Sequence, residues 1–229
     1  MTLSKSQIQD LYAFTRAHFV EHYDLQTELV DHLANDIEDM WMQNPRLSFE
    51  EAREKAFKKF GVFGFMEPIE QKAKAMNRRY LKYLWTELKE WFTLPKLMAT
   101  VLLFLIFYFS FSSSIASYFM LGFYLLIAVW SFYKSIQLNR QFRRRKEISD
   151  KKWMLEEMIF KQAGFSRLLL LSQLPTWYNI SGKLFSNFYF IIGFSVFTTL
   201  FFLWMYISLE IIPQKAEELL NETYPEFSL

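Results

Sequence analysis

From Leu184 to Ile212 the chain reads LFSNFYFIIGFSVFTTLFFLWMYISLEII, and Glu210 near its end is the only charged side chain. In hydrocarbon, a stretch this long must satisfy its backbone amides and carbonyls internally, which dictates a helix. Two similar runs come earlier, at 96–112 and 115–133, with a tight turn predicted at Ser112-Ser113-Ser114. Each is close to the ~20 residues that cross a bilayer core. Trp130 and Tyr133 suit an interfacial belt at the end of the second run. A further run, 164–180, is apolar but short and holds Arg167, Ser172, Gln173 and Pro175. Arg167 is placed to snorkel, and Trp177 and Tyr178 suit the far interface. A kinked span is preferred there over a re-entrant or surface helix. The expected class is therefore all-α. It consists of a small three-helix head, an amphipathic connecting helix and a helical transmembrane bundle of four spans (184–210 being the last) or, alternatively, three.

Hydrophobic residues make up 52% of the chain and include 26 Phe, but they concentrate after residue 94. Residues 1–66 are patterned as soluble helices. A first helix is expected over Ser4–His22, with Ile8, Leu11, Tyr12, Phe14, Phe19 and Val20 at mostly three- and four-residue spacings. A second begins with Asp24 as N-cap, carries Leu25, Leu29, Leu33, Ile37, Met40 and Trp41 as its stripe, and ends at Asn44-Pro45. Ser48 and Glu51 predict a capping box for a third, which buries Phe49, Ala52, Ala56 and Phe57 and stops at Phe60-Gly61. A longer amphipathic helix follows over Glu67–Phe92, within a juxtamembrane segment of 67–94. Its apolar stripe runs Ile69, Ala73, Met76, Tyr80, Leu84, Leu88, Trp91. With Arg78, Arg79 and Lys82 on its other sides it reads as an interfacial helix on an anionic leaflet, or else as a connecting helix packed on the head.

Charge is unevenly spread. Residues 1–66 hold 7 Lys/Arg against 11 Asp/Glu, 67–96 hold 7 against 4, and 134–152 hold 8 against 2. An acidic head on a basic collar excludes nucleic acid as the partner class, because nucleic acid demands positive charge on the exposed domain. The basic collar follows the positive-inside pattern and predicts a cytoplasmic loop over 134–160. A two-span hairpin then puts the head on the same side. No apolar core marks a cleavable signal in the first thirty residues. The expected location is the inner membrane of a bacterium, multi-pass, with the N-terminus cytoplasmic. The acidic tail, 213–229, falls on that side with four spans and on the other with three. Arg143-Arg144-Arg145-Lys146 is the densest cationic run, a lipid-facing group or simply an orientation signal.

Nothing in the sequence supplies a catalytic set. There are no cysteines, and no Asp or Glu lies in the spans before Glu210. Phosphate-binding, serine-hydrolase, zinc-protease and dinucleotide motifs are missing. His18 and His22 share a helix face, and His32 follows on the next helix one turn beyond Glu28. Ordinary polar residues on half-exposed faces, with Glu28 and His32 an i,i+4 pair, are preferred over a His/carboxylate metal site and over a pH-sensing role. No enzyme activity, metal or cofactor is expected.

The segments Glu28-Leu29-Val30-Asp31-His32-Leu33, Asp36-Ile37-Glu38, Leu47-Ser48-Phe49-Glu50-Glu51-Ala52 and the Phe60-Gly61 stop resemble the HAAS-type and permease-prefix helical domains of bacterial membrane proteins, over about residues 8–64. The resemblance implies a cytoplasmic domain ahead of membrane spans, with Glu28, His32 and Leu33 in its core or contact surface. It also implies association with a PadR-like regulator or a transporter subunit. The linker Trp41–Leu47 is longer than the family pattern, and no permease body is recognisable. The leading expectation is a regulatory or adaptor protein whose head binds a protein partner through Glu28, Asp31, His32, Asp36 and Asp39. The alternative is a non-catalytic membrane subunit of an ABC-permease-like transporter. Anionic lipids are a second expected partner, and a homo-oligomer is compatible with both.

Overall fold

The computed structural model describes residues 2–149, 151–162, 185–224 and 227, and all regular structure among them is helical. The chain divides into two compact units, Met1–Arg78 with Lys146–Leu155, and Arg79–Arg145 with Glu156–Leu229.

The first unit is built on α1 (Lys5–Ala17), α2 (Tyr23–Gln43), α3 (Phe49–Lys58) and the start of α4 (Met66–Glu90). Helix α2 packs on both α1 and α3. The predicted stripes become its core, with Leu11, Leu25, Leu29, Leu33, Ile37, Ala52 and Ala56 all buried. Trp41 closes the far end, its indole N–H donating to the Leu47 carbonyl at 3.0 Å. Helix α1 ends well short of His22. Phe19 takes a left-handed φ of 66°, and the Val20 N–H turns back to the Thr15 carbonyl at 3.1 Å. A helix rarely continues through such a residue, since the left-handed turn captures its last carbonyls. Asp24 is not the N-cap of α2; that position is His22. The Asp24 carboxylate instead accepts from the Met154 N–H at 3.3 Å. At α3, Ser48 accepts from the Glu51 N–H at 3.3 Å, which is one half of the expected capping box. The reciprocal box is complete at α1, where Ser4 and Gln7 cap each other.

That Asp24 contact belongs to the largest departure from expectation. The basic stretch after Tyr133 is not a loop: α6 runs unbroken over Ala116–Ile148. The Lys, Arg, Gln and Glu that make the segment polar are good helix formers, and no Gly or Pro lies between Gly122 and Ile148. Charge marked where apolar character stops, which is a different boundary from the end of the helix. The following residues then join the first unit. The Tyr23 N–H donates to the Lys152 carbonyl at 2.7 Å, Lys152 pairs with Glu21, and the Trp153 ring meets Tyr23 edge-on at 5.3 Å. Trp153, Met154 and Leu155 are all buried.

In the second unit, α5 (Lys96–Phe111) and the start of α6 are joined by the Ser112–Ser114 turn. Helix α5 packs on α8 (Phe188–Tyr206), and Phe107, Phe111, Ile191 and Phe194 form a core with Met120 of α6. Short α7 (Met154–Glu157) passes into a π-helical turn at Met158–Gln162, and α8 does the same at Ile207–Ile211 before α9 (Ile212–Gln214). The expected tail forms α10 (Ala216–Thr223). Two helical runs among the described residues, Ala116–Glu147 and Phe188–Gln214, are long and apolar enough to cross a membrane. The α5 helix has 16 residues. At ~1.5 Å per residue it rises ~24 Å, short of a ~30 Å core, so the expected first span is too short to cross unaided. Pro95 and the serine turn fix its two ends. Segment 164–180, the expected third span, lies outside the described residues.

The apolar stripe of α4 is also satisfied within the protein. Met76, Tyr80, Leu84 and Leu88 are buried. In the second unit the Tyr80 hydroxyl bonds Ser208 at 2.8 Å, Tyr83 bonds Thr223 at 3.2 Å, and Glu87 pairs with Lys215. Its other face, turned to the surroundings, carries Leu81, Lys82, Trp85 and Lys89.

Two measurements check this packing. Leu33→Ala, at a site with no exposure, is expected to cost ~2–5 kcal/mol in denaturant unfolding of the full chain, against less than about 0.5 for exposed Asp39→Ala. The second concerns Glu156, whose carboxyl is pushed above the usual range by burial, opposed by the Arg145 guanidinium. A raised folded-state pKa means stability is fullest below the unfolded-state value and is lost as pH rises through the folded-state one. Glu156→Gln is therefore expected to flatten the decline in melting temperature above the ordinary carboxylate range. A decline of unchanged slope would refute the assignment.

Candidate functional site

The first unit places an apolar surface where folding does not require one. Gly61 and Gly64 both have left-handed φ, 79° and 54°. Between them the chain turns Val62 and Phe63 outward, at 98% and 77% exposure. Phe65, one residue on, is buried and packs edge-on against Phe57 and Phe60, each at 4.9 Å. The loop is held closely, because a Cβ at Gly64 would come within 2.8 Å of the Phe57 ring. Phe19, 87% exposed, projects from its own left-handed turn at the end of α1. A left-handed conformation costs a non-glycine residue ~1–2 kcal/mol. Here that cost and an exposed aromatic fall on one position, which is how strain gathers at functional surfaces.

These side chains share a cavity of about 1120 Å³ with His18, Phe57, Met66 and Ile69. Its floor is aromatic: His18 lies between Phe14 and Phe57 with ring centres at 4.2 and 4.5 Å, and its Nδ1 is 2.8 Å from the Phe14 carbonyl. Glu67 and Glu70 rim the cavity. Lys74 pairs with Glu70 at 2.7 Å and its hydrogen bond holds that carboxyl below the usual range, while Glu67 accepts from the neutral Gln71 amide at 3.0 Å and, among the described residues, carries the lip's uncompensated negative charge. The surface is a hydrophobic concavity with carboxylates on its lip.

The residues expected to bind a partner are not gathered here. Glu28 pairs with Lys72 and Asp36 with Lys59, both at 2.8 Å. Asp31 and Asp39 are exposed. His32 is exposed and, with Glu28 and Lys72, lines a smaller cavity of mixed polar and apolar character, about 490 Å³. The three histidines are dispersed: His18 tilted against the Phe14 and Phe57 rings, His22 at the N-cap position of α2, His32 at that second cavity. Among the described residues no three His, Asp or Glu side chains gather as a metal site. Of the cationic run, Arg143, Arg144 and Lys146 are exposed, as are Arg78 and Lys82, while Arg79 is half-buried. Arg145 turns inward. Its guanidinium lies 2.8 Å from Glu217, 3.6 Å from Glu156 and 5.4 Å from the Phe160 ring. It is a packing residue rather than a lipid-facing one. Sequence reasoning placed Gly61 as a helix stop and Phe19 in a helix stripe. The Gly-Val-Phe-Gly spelling at 61–64 was the available signal for the exposed tip.

Comparisons of this chain with protein-family models, curated proteins and solved structures find no match.

Gly64→Ala is expected to destabilise the chain by ~1–2 kcal/mol or more, combining left-handed strain with the Phe57 clash. Gly122→Ala, with nothing near its added Cβ, is the control that should not lower the melting temperature.

Proposed function

We propose that the chain is a non-catalytic, membrane-anchored adaptor whose cytoplasmic head docks a protein partner. The docked element is an amphipathic helix with an apolar face and flanking Lys or Arg. The observation that carries this is the pair of left-handed turns holding Phe19, Val62 and Phe63 in solvent around one cavity. An apolar concavity takes the anchors of such a helix, and the Glu67/Glu70 lip favours basic flanks over an anionic lipid surface. The head of this proposal is the α1–α3 bundle with the loop at 59–65 and the first turns of α4.

The anchor is proposed as a multi-pass bundle in the bacterial inner membrane. Its support is the pair of long apolar helical runs and the outward faces of α5 and α6, which expose Met98, Leu102, Phe109, Leu126, Val129 and Phe132. That Lys146–Leu155 belongs to the same compact unit as Met1–Arg78 favours an even number of crossings between them. An α5–α6 hairpin provides two, with the shortfall of α5 met by local thinning and by Lys96 at the boundary. The exposed Leu81, Lys82, Trp85 and Lys89 of α4 give that helix a face fit for the membrane surface.

A photo-crosslinking residue in place of Phe63, in the full chain in living cells, tests the docking surface. The expected result is one protein adduct of discrete mass, lost several-fold on adding Phe19→Ser and also on Glu67→Lys/Glu70→Lys. Adducts formed only with lipid, or only with a second copy of the chain, would overturn the reading, as would insensitivity to the charge reversal.

A further inference from the structure

The exposed apolar stripe of α6 does not end with its apolar sequence. Leu125, Val129, the Phe132-Tyr133 pair and Ile136 recur at three- or four-residue steps on the outward face. Continued at the same spacing, that face arrives at Arg140, Arg143 and Arg144, all exposed. The neighbouring cations are sorted differently. Lys134 pairs with Glu210, and Arg145 with Glu156 and Glu217. The inward cations are neutralised by carboxylates, while the three outward guanidiniums have no ion-pair partner among the described residues. An orientation signal needs only the number of positive charges, and Lys134 and Arg145 count as fully toward it. The sorting adds a row of guanidiniums in line with the hydrocarbon-facing stripe.

The distances suit a headgroup. With Tyr133 at the interface, α6 lifts Arg140 ~10 Å and Arg144 ~16 Å further. The polar zone of a bilayer leaflet is ~5–8 Å deep, and an arginine side chain reaches back toward it. Arg140 and Arg144 are one turn apart with Arg143 beside them, so two guanidinium forks can converge on one phosphate. We propose that Arg140, Arg143 and Arg144 form a binding site for the phosphodiester headgroup of an anionic phospholipid. This rests on the membrane-anchored reading above.

The full chain in a neutral detergent is titrated with short-chain phosphatidylglycerol, phosphatidylcholine or inorganic phosphate, and bound lipid is read by native mass spectrometry. Phosphatidylglycerol is expected to bind and phosphatidylcholine not, with affinity falling roughly fivefold for each arginine lost. R140Q/R143Q/R144Q should abolish the preference, and high salt should weaken it. The corresponding triple Lys variant should keep part of it, since charge survives but the fork does not. Circular dichroism of the triple Gln variant checks its helicity, and R143Q alone serves if that variant does not fold. Equal binding of phosphatidylcholine, or an undiminished preference in R140Q/R143Q/R144Q, overturns the site. Inorganic phosphate binding as tightly as the lipid overturns its assignment to a lipid. Alkaline carbonate extraction separates the two readings. A chain released from membranes refutes the anchor, whereas a retained chain with no lipid preference refutes only the arginine site.

Discussion

The hydrogen bond from the Tyr23 amide to the Lys152 carbonyl, with the Asp24 carboxylate accepting from Met154 beside it, is the contact on which the first unit's composition depends. It fastens the corner between α1 and α2 to a segment far along the chain. The segment brings Trp153, Met154 and Leu155, whose burial adds apolar contacts that a bundle of residues 1–66 lacks. Burial of such side chains is worth ~1.5–3 kcal/mol each, a large fraction of what a small helical domain retains after ordering entropy.

What the sequence disclosed follows from what periodicity can carry. The stripes through Leu25, Leu29, Leu33 and Ile37 and through Tyr80, Leu84 and Leu88 repeat at helical spacing, and they are buried. Helix stops at Asn44-Pro45 and Gly61 also follow from local backbone preferences. The misjudged features are those in which local chemistry is ambiguous. Asp24 is a good N-cap by type, but its acceptor went to a donor on a distant segment, which spacing cannot reveal. Phe19 fits a helix stripe by number and leaves it through a left-handed φ that few aromatic residues adopt. The polar half of α6 stays helical because a helix needs only the absence of breakers, not an apolar face at every turn.

The candidate site was illegible for a related reason. The acidic residues chosen for binding, Glu28 and Asp36, are attractive as exposed charges until Lys72 and Lys59 are found opposite them. Arg145 likewise stood in a uniform run of four cations, and only the carboxylates of Glu156 and Glu217 distinguish it from Arg143 and Arg144. Charge counting treats these residues alike. Pairing separates them, and pairing is a property of tertiary structure.

Exposed apolar residues carry different meanings in the two units, and their distribution distinguishes them. On α5 and α6 they recur turn after turn over most of a helix, from Met98 to Phe109 and from Tyr118 to Ile136. Exposure repeated along a helix face is what the proposed hydrocarbon surroundings would call for, since hydrocarbon is uniform along a span. Around residues 19 and 61–66 the exposure is confined to a few positions, two set by glycines and one by a strained phenylalanine, with buried Phe65 among them. A medium exerts no demand for so local a display. The shaped partner proposed for this surface would, because left-handed turns fix where each side chain points before contact and so reduce the ordering entropy that docking would otherwise cost.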